Sequence, residues 1–211
     1  MILLFDAANT LIHKPQLAVK FVETLAKHGY WVDIKTFRYH HKLLSEAIIF
    51  PDKTSRDFYH HFNGELLYTL GIVPNEELLE EIFKACSYLP WEPFDDFEFI
   101  ADWTGQIGIL SNFHKGLTDL LGGFFPGRFN ELIISEASEF RKPDLNFYLS
   151  AIEKFNVPPS DILYVGDSPK LDLEPALQAG MNAWLIDRDN FYPACKRRIV
   201  SLNHVPNLVN G

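Results

Sequence analysis

Asp6, Asp167 and Asp172 offer carboxylates, Ser111 a hydroxyl and Lys142 an amine. Met1-Ile-Leu-Leu-Phe-Asp6-Ala-Ala-Asn-Thr-Leu11 runs an apolar segment straight into an aspartate and then into small, turn-prone residues. Ile107-Gly-Ile-Leu-Ser111-Asn112 and Ile162-Leu-Tyr-Val-Gly-Asp167-Ser-Pro-Lys-Leu-Asp172 repeat the device, and Arg141-Lys142-Pro143 lies between them. An aspartate is ionised at neutral pH, with an ordinary pKa of about 3.9. Such a carboxylate can attack phosphorus and split one hard step into two through a covalent intermediate. An anion attacking an anion needs counter-charge. Asp6, Asp167 and Asp172 could supply oxygen ligands to Mg²⁺, a hard cation. Lys142 could add a point charge and Ser111 a hydroxyl donor, which suits phosphoryl transfer, where positioning and electrostatics do most of the catalysis. Taken singly, each has a plainer reading: a capping Ser111, a solvated Lys142, a turn at Gly166-Asp167-Ser168. Jointly they point to one site.

Those residues need a scaffold that brings distant stretches together. Apolar runs of strand length bounded by turn signals suit buried strands of a parallel sheet, whose carboxyl ends are where open α/β sheets place ligands. Five are expected, at Ile2–Phe5, Gln106–Leu110, Glu131–Ile134, Asp161–Val165 and Asn182–Ile186. Helices fall between them, around Leu117–Leu121, Leu145–Phe155 and Leu171–Ala179. Strands alternating with helices predict an α/β fold with a doubly wound parallel sheet. Residues 16–88 break that alternation. Leu17, Phe21 and Leu25 recur at helical spacing, as do Phe37, His41, Leu44 and Ile48, then Phe58, Phe62 and Leu66. Asn75-Glu-Glu77 opens a further helix with Leu78, Ile82 and Cys86 on one face. Four consecutive helices do not belong inside one strand–helix–strand unit, so they read as an inserted helical subdomain. The expected division is residues 1–14 and 92–211 for the core and 15–91 for the insertion.

Composition narrows the function classes. The chain has 211 residues, 47% of them hydrophobic, which is enough to bury a core. Its net charge is −9 and its longest basic run is Lys196-Arg197-Arg198, which argues against nucleic acid or an anionic membrane as partner. No signal peptide or membrane-length apolar stretch is legible, so a cytoplasmic protein is expected, with Cys86 and Cys195 as reduced thiols. The pairs His40-His41 and His60-His61 make no ready zinc chelate, because adjacent residues on a helix face different ways.

The four chemical stretches, in this order, resemble the motifs of the haloacid dehalogenase-like hydrolase superfamily, and the helical insertion is similar to the cap of many members. That resemblance implies a Rossmann-like core and Mg²⁺-dependent phosphoryl transfer through an aspartyl-phosphate at Asp6. It further implies that the backbone carbonyl of Ala8 joins Asp6 and Asp167 on the metal, with Asp172 acting partly through water or from behind the direct ligands. Thr10, Ser111, Asn112 and Lys142 are expected around a phosphate, with Thr10 hydrogen-bonded locally to hold the nucleophile loop and Asn112 either fixing the loop or touching substrate. Asn9 tolerates the left-handed backbone that the loop needs.

Ala8 departs from the pattern. Family phosphatases resemble Asp-x-Asp, and the second aspartate protonates the leaving oxygen and then activates water. Losing a positioned acid–base group costs about 10²–10⁴-fold in rate. Three functions are therefore weighed. One is a phosphatase-like hydrolase of a small phosphorylated molecule whose proton comes from elsewhere, with His13 and His114 nearest in sequence. Another is a phosphonatase, since relatives of that type also carry alanine here, with Lys42 or Lys53 as Schiff-base lysine. The last is a non-catalytic phospholigand-binding protein. Dehalogenation fits less well, because dehalogenase relatives lack the acidic cluster. Neither the substrate nor the oligomeric state is legible.

Overall fold

The computed structural model describes residues 1–209. Ile2–Phe5 (β1) is buried along its whole length, as an apolar run without alternation requires. It pairs in parallel with Ile107–Ser111 (β2) on one side and Ile162–Gly166 (β4) on the other. Glu131–Ile134 (β3) extends the sheet beyond β2, and Asn182–Ile186 (β5) extends it beyond β4. A two-residue strand, Arg198–Ile199 (β6), closes the far edge against β5. The order is β3-β2-β1-β4-β5-β6 with every neighbour parallel. This is a doubly wound, Rossmann-like sheet whose order reverses beside β1, and such a reversal opens a crevice at the strands' carboxyl ends.

The chain divides into two compact units, Met1–His13 with Pro93–Gly211 and Lys14–Glu92. In the first, Leu117–Phe124 (α5), Leu145–Phe155 (α6) and the short Glu174–Gln178 (α7) accompany the sheet. Ile2, Leu4, Ile162 and Tyr164 pack with Phe147, Ala151 and Phe155 of α6 and with Ala176 of α7. Gly108 of β2 is required by that packing: a Cβ there would lie 2.4 Å from the Phe155 ring.

The second unit holds four helices, Gln16–Lys27 (α1), Ile34–Ala47 (α2), Arg56–Thr69 (α3) and Glu76–Cys86 (α4). Asp33, Ser55 and Asn75 each accept a backbone N–H at the start of a helix, which satisfies donors that would otherwise lack a partner. Gly29 and Gly71, at φ of 83° and 76°, terminate α1 and α3 in a conformation that favours glycine. Phe21, Leu25, Phe37, Phe62, Leu66, Leu78 and Ile82 form this unit's own core. Among the described residues no helix is long and apolar enough to cross a membrane, and Cys86 and Cys195 are free thiols.

Two expectations change. The helix predicted over Leu171–Ala179 is instead a wide π-type turn, Pro169–Leu173, followed by α7. The Asp172 and Leu173 N–H groups both bond Ser168 O, and the Asp172 carboxylate folds back onto Ser168 N, which widens the first turn. The sheet also has a sixth strand. Two residues are too short for periodicity to register, and β6 exists because the β5 edge offers partners: Leu185 N bonds Arg197 O and Asp187 N bonds Ile199 O.

Candidate functional site

Asp6 leaves the end of β1 with its N–H bonded to Val165 O of β4. The loop after it turns tightly. Leu11 N and Ile12 N both bond Ala7 O, and Asn9 sits at φ 58° with its N–H on Ile12 O. Asparagine tolerates that left-handed region better than most residues, as its place in the loop demands. Ser111 ends β2 and donates from Oγ to Asp6 Oδ1 at 3.0 Å. Lys142 Nζ bridges two carboxylates, 2.7 Å from Asp6 Oδ1 and 2.6 Å from Asp172 Oδ1. Asp6, Ser111, Lys142 and Asp172 are all buried, while Asp167 is partly exposed. Carboxylate oxygens of Asp6, Asp167 and Asp172 lie within 4.8 Å of one another.

Asp172 is held on every side. Its Oδ1 accepts from Lys142 and, at 2.6 Å, from Tyr164 Oη, while its Oδ2 accepts from Ser168 N at 2.9 Å. Gly166 makes room for it, since a Cβ there would fall 2.3 Å from Asp172 Cγ. Tyr164 also places its ring 5.6 Å from the Lys142 ammonium, a cation–π distance. The sequence reading missed Tyr164 because it sits inside an apolar strand and reads as core. The available signal was register: Tyr164 pairs with Leu4, two residues before Asp6, and alternation puts all three on one face.

Asn112 had two expected roles, and its hydrogen bonds display the first. Its Nδ2 donates to Lys142 O and its Oδ1 accepts from Lys142 N, at 3.0 and 2.8 Å, so its amide clamps the lysine's backbone just before the cis Lys142–Pro143 bond. Thr10 corrects its expectation. The side chain is buried, but Oγ1 has no hydrogen-bond partner, and the backbone bonds around Ala7 hold the loop instead. Ala8 is partly buried two residues from the Asp6 carboxylate, and its methyl can move no proton.

Neither candidate histidine is aimed at a reaction by its contacts. His13 stacks on Phe94 with ring centroids 3.9 Å apart, and His114 Nδ1 accepts from Gly116 N at 3.1 Å. Lys42 is paired with Glu46 at 2.9 Å, and Lys53 is exposed.

Burial pushes the Asp6 carboxyl up; Lys142 pulls it back, and Asp172 and Asp167 push it further, to about 6. Burial works against the charge on Lys142, but Asp172 and Asp6 outweigh it and raise that amine above its ordinary value. The pocket thus concentrates carboxylates faced by one buried ammonium. Its donors are oxygens alone, a set suited to a hard divalent cation rather than to zinc or copper.

Comparison with known proteins agrees with this architecture. The family model described as haloacid dehalogenase-like hydrolase matches residues 1–180. The haloacid dehalogenase-like hydrolase domain-containing protein 3 of Danio rerio is 26% identical over 138 residues, covering 65% of this chain and 49% of that protein. A phosphoserine phosphatase of Thermus thermophilus is 29% identical over 131 residues, covering 59% and 52%. The chain therefore spans about half the length of the curated relatives it matches. Among solved structures, the putative HAD-hydrolase YfnB from Bacillus subtilis, bound to magnesium, superposes with a TM-score of 0.66 at 18% identity, covering 100% of this chain and 98% of that one. A match running from β1 through α7, over a sheet that gathers its motifs at one crevice, places this chain in the haloacid dehalogenase-like hydrolase family.

Proposed function

We propose that the chain is a Mg²⁺-dependent, phosphatase-type hydrolase of a small phosphorylated molecule, working through an aspartyl-phosphate on Asp6. One observation carries the reading: Asp6, Asp167 and Asp172 converge within 4.8 Å, and Lys142 and Ser111 both reach Asp6 Oδ1. Asp6, Asp167 and the Ala8 carbonyl would hold the metal. Asp172, already engaged by Lys142, Tyr164 and Ser168, would orient the lysine and support the ion from behind. When bound, the cation neutralises phosphoryl oxygens and lets two anions approach.

An Asp6 oxygen forms the bond to phosphorus as the ester oxygen leaves with its electron pair. Lys142 and Ser111 stabilise the charge that spreads over the equatorial oxygens. With alanine at position 8, no carboxylic acid there protonates the leaving group, so esters with acidic leaving groups such as aryl phosphates turn over best. No carboxylate there activates water either, so hydrolysis of the aspartyl-phosphate is the slow step and the covalent species accumulates. We read the Lys14–Glu92 unit as the cap that selects the substrate, and the protein as one acting without nucleic acid or membrane.

Hydrolysis of p-nitrophenyl phosphate is expected to require Mg²⁺ and to vanish in Asp6→Asn. Mg²⁺ is expected to raise the melting temperature of the wild type and not of Asp167→Asn, by linkage of binding to folding. Metal-independent turnover that survives Asp6→Asn would refute the assignment.

A further inference from the structure

The chain beyond residue 180, outside the family match, contributes to the nucleophile loop. Arg188 follows β5 and makes a two-pronged pair with Asp96, Nη1 to Oδ2 at 2.7 Å and Nη2 to Oδ1 at 2.9 Å. The same Nη2 donates to the backbone carbonyl of Thr10 at 2.9 Å, across 178 positions of sequence. Its guanidinium carbon lies 3.7 Å from the centre of the Phe94 ring, and Phe94 in turn bonds Leu11 O through its N–H. Asp96 is fixed from the far side by Ser201 Oγ at 2.7 Å and Leu202 N at 2.9 Å.

Thr10 is fully buried, so its carbonyl would lack a partner without Arg188, and an unpaired buried carbonyl is costly enough to reshape the loop. The other loop bonds run from Leu11 N and Ile12 N to Ala7 O, from Asn9 N to Ile12 O and from Phe94 N to Leu11 O, and none of them engages the Thr10 carbonyl. We infer that Arg188 is a positioning residue for Asp6: by holding the Thr10 carbonyl it sets the curvature of the loop that presents the nucleophile. This inference rests on the hydrolase reading for its kinetic consequence, though not for its structural one. A lysine cannot replace it. One ammonium cannot span both Asp96 oxygens, reach Thr10 O and stack on Phe94 at once, whereas a planar guanidinium can.

The test compares Arg188→Met and Arg188→Lys with Ser201→Ala, which removes one bond to Asp96 but leaves the Arg188–Thr10 contact in place. With p-nitrophenyl phosphate and Mg²⁺, both Arg188 variants are expected to lose kcat/KM, which reports the attack by Asp6, about 10- to 100-fold, the scale of a misplaced reacting group. Ser201→Ala is expected to melt lower with kcat/KM unchanged. Amide hydrogen exchange supplies a readout free of turnover: protection at Asn9, Leu11 and Ile12 falls in the Arg188 variants, while that of β5 persists. If kcat/KM holds in both Arg188 variants, or if protection falls equally across the sheet, Arg188 is only a structural tie and the inference is wrong. If the wild type hydrolyses no phosphate ester, the function proposed above fails, and exchange still decides whether Arg188 governs the loop.

Discussion

Lys142 is the residue on which the charge balance of the site turns. Its ammonium is buried and bonded to two carboxylates, an arrangement in which removing one partner leaves an uncompensated charge. Tyr164 limits that exposure by donating to the Asp172 oxygen that Lys142 also uses. A hydrogen bond to a charged group is worth about 1.5–3 kcal/mol, so the tyrosine holds the carboxylate firmly. Position 8 is the opposite case, a place where the missing group is defined by its neighbours. Ala8 is only partly buried, so a carboxylate fits there without displacing core. Ala8→Asp is expected to raise phosphomonoesterase kcat by about 10²-fold, the lower end of what general acid–base catalysis supplies. Steady-state rates on alkyl and aryl phosphates check it. The gain should be larger on alkyl esters, whose poor leaving groups need the proton; equal rates before and after the change would mean that another step limits turnover.

At the scale of elements, the site depends on how closely α6 lies against the sheet. Lys142 sits just ahead of α6, whose first turn is capped by the Asp144 carboxylate accepting from Asn146 N. Phe155, at the other end of the helix, presses onto β2 where Gly108 leaves space. Gly108→Ala would drive a methyl into that ring and against Leu4 Cδ1, at 2.4 and 3.1 Å. Overpacking of this kind costs about 1–3 kcal/mol. Chemical denaturation is expected to show a lower midpoint with the slope unchanged. Because the helix carries Lys142 with it, Mg²⁺ should then stabilise the variant less than it does the wild type. The π-type turn at Pro169–Leu173 answers the same need after β4, on the other side of β1: the wide turn returns Asp172 over Gly166.

For the whole molecule, pH should act on the helical unit through His41. Its ring lies 5.6 Å from that of Phe37 and 5.3 Å from that of Phe62, measured between centroids. Burial, with a smaller push from Lys42, lowers its pKa to about 4. Between there and the ordinary value of about 6.5, His41 binds more protons in the unfolded chain than in the folded one, so its own contribution to stability rises with pH across that window, against the opposite contribution of Asp6, whose pKa is raised to about 6. The His41 contribution is fully present above about pH 6.5 and is lost as pH falls toward 4, a change of about 1–3 kcal/mol. Urea denaturation at pH 7 and pH 5 should show the loss as a difference between the wild type and His41→Phe. His41→Phe keeps a ring in place without a titrating group, and its stability should fall less than the wild type's from the higher pH to the lower. An identical pH slope in both proteins would assign the effect to other groups.

The residue types with chemistry to offer were legible in order along the chain, because apolar strand runs ending in Asp6, Ser111 and Asp167 are local signals. The strand pattern predicted the sheet class, and in the helical insertion Asn75, Gly29 and Gly71 marked helix ends, since their preferences act over a few residues. Only the folded chain decided which of those groups touch. Tyr164 reads as core until its hydroxyl meets Asp172, Asn112 as substrate ligand or brace until its amide meets Lys142, and Arg188 as a surface charge until it finds Thr10. The reason is physical: caps and periodicity are set by neighbours in sequence, whereas a hydrogen bond across 178 positions is set by the sheet order that brings its ends together.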